Sequence, residues 1–165
     1  MPDNRQMILK LVLDSPGIHL RGVQKALGVS FSTVRYHVRG LTGRGELDCE
    51  RRGRYLRLFP HGMSEAEREV FSRLQRSAAQ KVLVQMIKKQ HWRNKDIASA
   101  SGLAESTVSR ERKAFRELGL LVVLPSPQGR GENRLVDSEL LSRIIKLSRS
   151  STRRAVDNYI ELWDI

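Results

Sequence analysis

The apolar residues of this chain change their period in a fixed order. Residues 5–13 form a short apolar helix, and Asp14-Ser15-Pro16-Gly17 stops it, because Pro and Gly break a helical pattern. Leu20, Val23 and Leu27 then fall on one helical face. Gly28 follows where a sharp turn needs a positive φ angle, and Ser30 is placed to cap the next helix by accepting a backbone N–H. That helix runs to about Leu41, with Val34, Val38 and Leu41 turned inward and Thr33, Arg35, Tyr36, His37 and Arg39 facing out. Beyond Gly45 the period drops to two. Leu47 to Arg51 and Tyr55 to Phe59 alternate as the two strands of a hairpin around Arg52-Gly53-Arg54.

The pattern then recurs. The distance from Gly28 to Gly102 is 74 residues, and the same register aligns Ala26 with Ala100, Ser32 with Ser106, Thr33 with Thr107, Val34 with Val108, Gly45 with Gly119 and Leu47 with Leu121. A fixed internal period of this kind fixes the architecture. Between the copies, Ser64 and Glu67 make a capping box that opens a helix through Val70, Phe71 and Leu74, ending or breaking near Ser77. In the second copy Val82, Leu83, Met86 and Ile87 mark a first helix, and Asn94 is expected to cap a second. Residues 105–118 make the second recognition helix. Leu120 to Leu124 and Asn133 to Val136 give a looser wing around Pro125 to Gly131. From Asp137 on, Leu140, Leu141, Ile144, Ile145 and Leu147, then Val156, Tyr159, Ile160 and Trp163, read as helix.

Helix, helix, helix and hairpin, in that order, make a winged helix. The expected fold is mainly α with small β-wings (α+β): two tandem winged helix-turn-helix domains plus C-terminal helices. The domains expected are 1–62, a linker helix over 63–77, a second winged helix over 78–137 and a helical extension over 138–165. The turn supports this. Ala98, Gly102 and Val108 supply the small residue, turn glycine and β-branched core residue of a helix-turn-helix; Gln24, Gly28 and Val34 repeat it without the small residue.

Charge narrows the partner. The chain has 30 Lys+Arg against 18 Asp+Glu, a formal net charge of +12, which favours a polyanion. The excess is shared: 11 basic against 5 acidic residues in 1–63, and 19 against 13 in 64–165. Cys49 is the only cysteine, which excludes an intrachain disulfide or a cysteine-built metal site, and His19, His37, His61 and His91 are scattered, so neither metal nor cofactor is expected. With no apolar run long enough to span a bilayer and no signal-peptide layout at the N-terminus, a cytoplasmic, nucleoid-associated protein is expected. Nothing supports catalysis: Gly129-Arg130-Gly131 lacks the setting of a phosphate loop.

Ser32-Thr33-Val34-Arg35-Tyr36-His37-Val38-Arg39-Gly40-Leu41, followed by Gly45-Glu46-Leu47, resembles the recognition helix and first wing strand of prokaryotic winged-helix regulators of the ArsR/MarR type. The tandem copies resemble two-winged-helix regulators often met in archaea. The resemblance implies duplex DNA binding and transcriptional control, usually as a dimer. The chain departs from the ArsR metal sensors, whose cysteine pairs or clustered ligands it lacks.

The residues make the case for DNA directly. Arg35 and Arg39 lie one turn apart and suit guanine, while Tyr36 and His37 reach a base or a phosphate. Ser30, Ser32 and Thr33 at the helix start suit phosphate, and Arg51, Arg52 and Arg54 in the wing suit the minor groove or backbone. The second head offers Ser106, Thr107, Ser109, Arg110, Arg112 and Lys113, with Arg130 and Arg134 in its wing. Glu105 and Glu111 are expected to weaken that head. The C-terminal apolar stripe either packs the heads together or, slightly favoured, contributes to a homodimer, with the linker helix as a second candidate for self-association. Two other readings stand beside a sequence-specific regulator. One is an architectural, chromatin-type protein with little sequence preference; the other is a protein-interaction adaptor whose basic face is incidental.

Overall fold

The computed structural model describes residues 3–88, 93–125, 127, 132–136 and 140–144. The chain divides into two compact units, one built on Met1–Ser72 and the other on Arg73–Ser142. The division falls inside a helix that the sequence treats as a linker.

The first unit runs α1 (Asn4–Asp14), α2 (Leu20–Leu27), α3 (Phe31–Gly43), β1 (Leu47–Arg52) and β2 (Tyr55–Pro60), and α4 (Glu65–Leu74) follows. Its core is the set the apolar pattern selects. Ile8 and Val12 of α1, Val23 of α2, Val34, Val38 and Leu41 of α3, and Leu47 and Leu58 of the hairpin are buried together. Each such aliphatic side chain contributes about 1.5–3 kcal/mol by leaving water. α2 ends at Gly28, which takes φ 65° and whose N–H bonds back to the Gln24 carbonyl at 2.9 Å. A side chain there has open space around it, so the restriction is the backbone angle and not a clash. α3 begins at Ser30, whose hydroxyl accepts from the Thr33 N–H at 3.1 Å. α4 opens on the capping box read from sequence: the Glu67 carboxylate accepts from the Ser64 N–H at 2.8 Å, and the Glu67 N–H donates to Ser64 Oγ at 3.3 Å.

The hairpin is antiparallel, with Leu47 opposite Pro60 and Arg52 opposite Tyr55. Only Gly53 and Arg54 therefore lie in the turn, and Arg52 is a strand residue. Gly53 takes φ 60° at the first turn position, as a two-residue hairpin loop requires. The sheet also gains an element not expected from the sequence. The Gly17 N–H donates to the Leu58 carbonyl at 2.8 Å, and the Leu58 N–H donates to the Ile18 carbonyl at 2.9 Å. The link between α1 and α2 thus adds a short third strand on β2.

The second unit has the same order of elements: α5 (Ser77–Lys88), α6 (Asn94–Ser101), α7 (Glu105–Glu117), β3 (Leu121–Leu124) and β4 (Glu132–Leu135). Val82, Leu83, Ile97, Val108, Phe115 and Leu120 are buried, and Gly102 takes φ 69° at the end of α6. The cap of α6 differs from expectation. Arg93 holds the N-cap position, with its N–H on the Asp96 carboxylate at 3.3 Å, and Asn94 is the first helical residue. Asn94 is occupied elsewhere, accepting from Arg112 Nη1 at 2.6 Å. Of the C-terminal segment, residues 140–144 are helical; the second apolar set from Val156 to Trp163 lies outside the described residues.

Candidate nucleic-acid interface

Helix α3 presents one uninterrupted outer stripe. Ser32, Arg35, Tyr36 and Arg39 occupy i, i+3, i+4 and i+7 and all are exposed, while Val34, Val38 and Leu41 fill the opposite side. Tyr36 is 74% exposed, a large cost for an aromatic ring in a free surface, and His37 meets its edge at 5.2 Å. At the N-terminus of α3 three hydroxyls converge: Ser30 Oγ lies 2.9 Å from Ser32 Oγ and 2.7 Å from Thr33 Oγ1. Arg21 lies over the Phe31 ring at 5.1 Å and so ties α2 to the first turn of α3.

In the wing, Arg51 and Arg54 are exposed. Together with Arg35 and Arg39 they pair with no carboxylate among the described residues. Arg52 does not join them. Its guanidinium turns onto Glu50 at 3.1 Å, Glu65 at 2.6 Å and Glu69 at 2.8 Å, leaving the side chain 16% exposed. The reason is strand alternation: Arg51 and Arg52 leave β1 on opposite faces, and the Arg52 face meets α4. Arg68 of α4 grips the same face, on Asp48 at 2.6 Å and Glu50 at 3.4 Å. Hydrogen bonding from His61 holds the Asp48 carboxyl below its ordinary range against an opposing burial effect, with the Gly62 N–H and Arg68 adding to the lowering.

A third cluster, unread in the sequence, joins the wing to α2. His19 stacks on Tyr55 at 4.8 Å, and its Nδ1 accepts from the Gly22 N–H at 2.9 Å, which caps α2. Arg57 donates to the Gly17 carbonyl at 2.7 Å and lies 5.7 Å from the Tyr55 ring. Desolvation first, and then Arg57, lower the His19 pKa. Cys49 sits in β1, and desolvation raises its thiol pKa, which disfavours the reactive thiolate.

In the second unit Ser106, Ser109, Arg110 and Lys113 are exposed on α7, Thr107 is half-buried and Arg134 is exposed on β4; Arg130 lies outside the described residues. Two charged residues assigned to the outer face point inward. Glu111 is 1% exposed and accepts from Arg73 Nε at 2.8 Å, and Arg112 is 6% exposed against Asn94. The helical register explains it, since Val108, Glu111, Arg112 and Phe115 share one stripe. Both side chains are thus withdrawn from the exposed face of α7.

Three helices whose second and third meet at a left-handed glycine turn, followed by a hairpin closed by a third strand, define a winged helix-turn-helix domain. Residues 2–71 match a family model described as an N-terminal HTH domain. No curated protein matches the chain. Among solved structures it is similar to a MarR protein from Peptoclostridium difficile, with 17% sequence identity over 70% of this chain and 74% of that one, at a TM-score of 0.34. No helix among the described residues is long and apolar enough to cross a membrane, and no cluster of three or more potential metal ligands occurs among them.

Proposed function

We propose that the chain is a transcriptional regulator that binds double-stranded DNA in a sequence-dependent way through its first unit. The carrying observation is the coincidence of an exposed Ser32/Arg35/Tyr36/Arg39 stripe on α3 with unpaired Arg51 and Arg54 on the wing of the same domain. In this reading α3 lies in the major groove. Arg35 and Arg39 contact guanine edges, and Tyr36 makes apolar contact with a neighbouring base. The hydroxyls of Ser30, Ser32 and Thr33, with the free N–H groups of the first turn, take a phosphate. Arg51 and Arg54 follow the minor groove or backbone.

The second unit extends the footprint more weakly, because Arg112 is engaged by Asn94 and Glu105 stands exposed at the start of α7. The regulator acts by occupancy, as a homodimer, without a bound cofactor and without catalysis. The test is affinity for a selected duplex after Arg35→Ala and Arg39→Ala. Each should lose about 1–3 kcal/mol of discrimination at its own base pair. A uniform loss on all sequences favours an architectural protein, and binding that does not move sinks the proposed interface.

A further inference from the structure

We propose that Arg52 is a positioning residue for the wing: its ion pairs with Glu65 and Glu69 of α4 hold Arg51 and Arg54 where they meet DNA. This rests on the DNA-binding reading above.

The third strand pairs with β2 only around Arg57 and Leu58. Beyond it the wing is two-stranded, and a two-stranded ribbon is marginal on its own, so its tip needs an outside hold to present side chains at a fixed place. Arg52 is the last residue of β1 and directly precedes the Gly53-Arg54 turn. Its guanidinium reaches Glu65 at 2.6 Å and Glu69 at 2.8 Å, two carboxylates one helical turn apart on α4. Glu50, on the same strand face, completes the set at 3.1 Å. The Arg52 side chain is 16% exposed but Glu65 and Glu69 are 72% and 53% exposed, so each pair is weakened by salt and the hold comes from three carboxylates converging on one half-buried guanidinium. Nearer the base of the wing, Arg68 holds Asp48 and Glu50, and Arg52 and Arg68 both lie against the buried Phe59 ring, at 5.7 and 5.4 Å. The hairpin is thus gripped at both ends of one face. Its other face carries Arg51 outward, and Arg54 stands in the turn, both on the backbone that Arg52 pins.

Charge alone and this geometry predict opposite signs. Glu65→Gln/Glu69→Gln removes two negative charges from the domain, which by long-range attraction strengthens binding to a polyanion. If the carboxylates act through Arg52, the same variant binds more weakly. The measurement is fluorescence anisotropy of the full chain on a labelled random-sequence duplex at about 150 mM salt, with circular dichroism on each variant. The double variant is expected to bind about threefold more weakly or worse while keeping the helical signal of the parent. That loss is expected to vanish in an Arg51→Ala/Arg54→Ala background, since nothing is then left to position. If the double variant melts below the assay temperature, single Glu65→Gln and Glu69→Gln variants carry the same test of sign. Unchanged or tighter binding, or a loss that persists without Arg51 and Arg54, overturns the positioning role while DNA binding stands. A parent chain that binds no duplex overturns both.

Discussion

Single residues set the ends of the helices that carry the proposed interface. Ser30 caps α3 through the Thr33 N–H, so Ser30→Ala should cost about 1 kcal/mol of stability in a chemical denaturation, and a loss near zero would mean that water caps the helix equally well. His19 makes a pH prediction. Its folded pKa lies below the unfolded value of 6.5, so the unfolded chain takes up the proton first as pH falls. The stability this brings is present above pH 6.5 and is lost as pH falls from there through the lowered folded value. Protonation of Nδ1 also removes the acceptor for the Gly22 N–H. The melting temperature should therefore drop between about pH 7.5 and about pH 5.5, and His19→Asn, an amide acceptor that does not titrate, should flatten that part of the profile. An unchanged slope in the variant would remove His19 as the cause.

At the scale of elements, the wing and α7 are where sequence and structure part. The period of apolar residues finds every helix of the repeat, because burial of one stripe is what builds each of them. It places Arg35, Tyr36 and Arg39 outward for the same reason. It does not reveal what covers the polar face of a strand. Arg52 reads as a wing-tip cation until α4 is laid across β1; only the acidic Glu65 and Glu69, one helical turn apart, hint at a basic partner. Glu111 and Arg112 are similar. Both continue the inward stripe of Val108 and Phe115, but their charge argues for solvent; Arg73 beside Glu111 and Asn94 beside Arg112 help to make burial tolerable. The third strand runs only from Gly17 to His19, too short for alternation to register. A buried ion pair is costly to break by halves, so Arg73→Ala should destabilise the second unit by about 3–5 kcal/mol, with Arg73→Ala/Glu111→Leu recovering much of it. Hydrogen exchange of α7 would read this directly. Equal damage from the single and double variants would contradict the pairing.

On the scale of the whole molecule the surplus of charge becomes a measurable quantity. A net charge of +12 shared between both halves makes binding steeply salt-dependent whatever its specificity. The slope of log affinity against log salt should fall by about 0.9 for each phosphate the protein no longer neutralises. Arg51→Ala and Arg54→Ala should each change that slope. Arg52→Lys keeps the net charge, and should lower both affinity and slope to the extent that Arg51 and Arg54 leave their phosphates. The two halves need not contribute equally. The first unit keeps its recognition-helix arginines free, whereas the second folds one of its own inward, so a variant lacking Arg110 and Lys113 should lose less affinity than one lacking Arg35 and Arg39. An equal loss would make the second unit a full partner.

The proposed regulatory role turns on whether the α3 stripe and the wing read duplex sequence. It is tested most directly by selecting bound fragments from random duplex DNA at about 150 mM salt, where attraction between exposed charges is largely screened, and sequencing what the chain retains. A motif should be recovered whose information at guanine positions disappears when Arg35 and Arg39 are replaced by alanine. Retained DNA without a motif, or no retained DNA, would contradict that role.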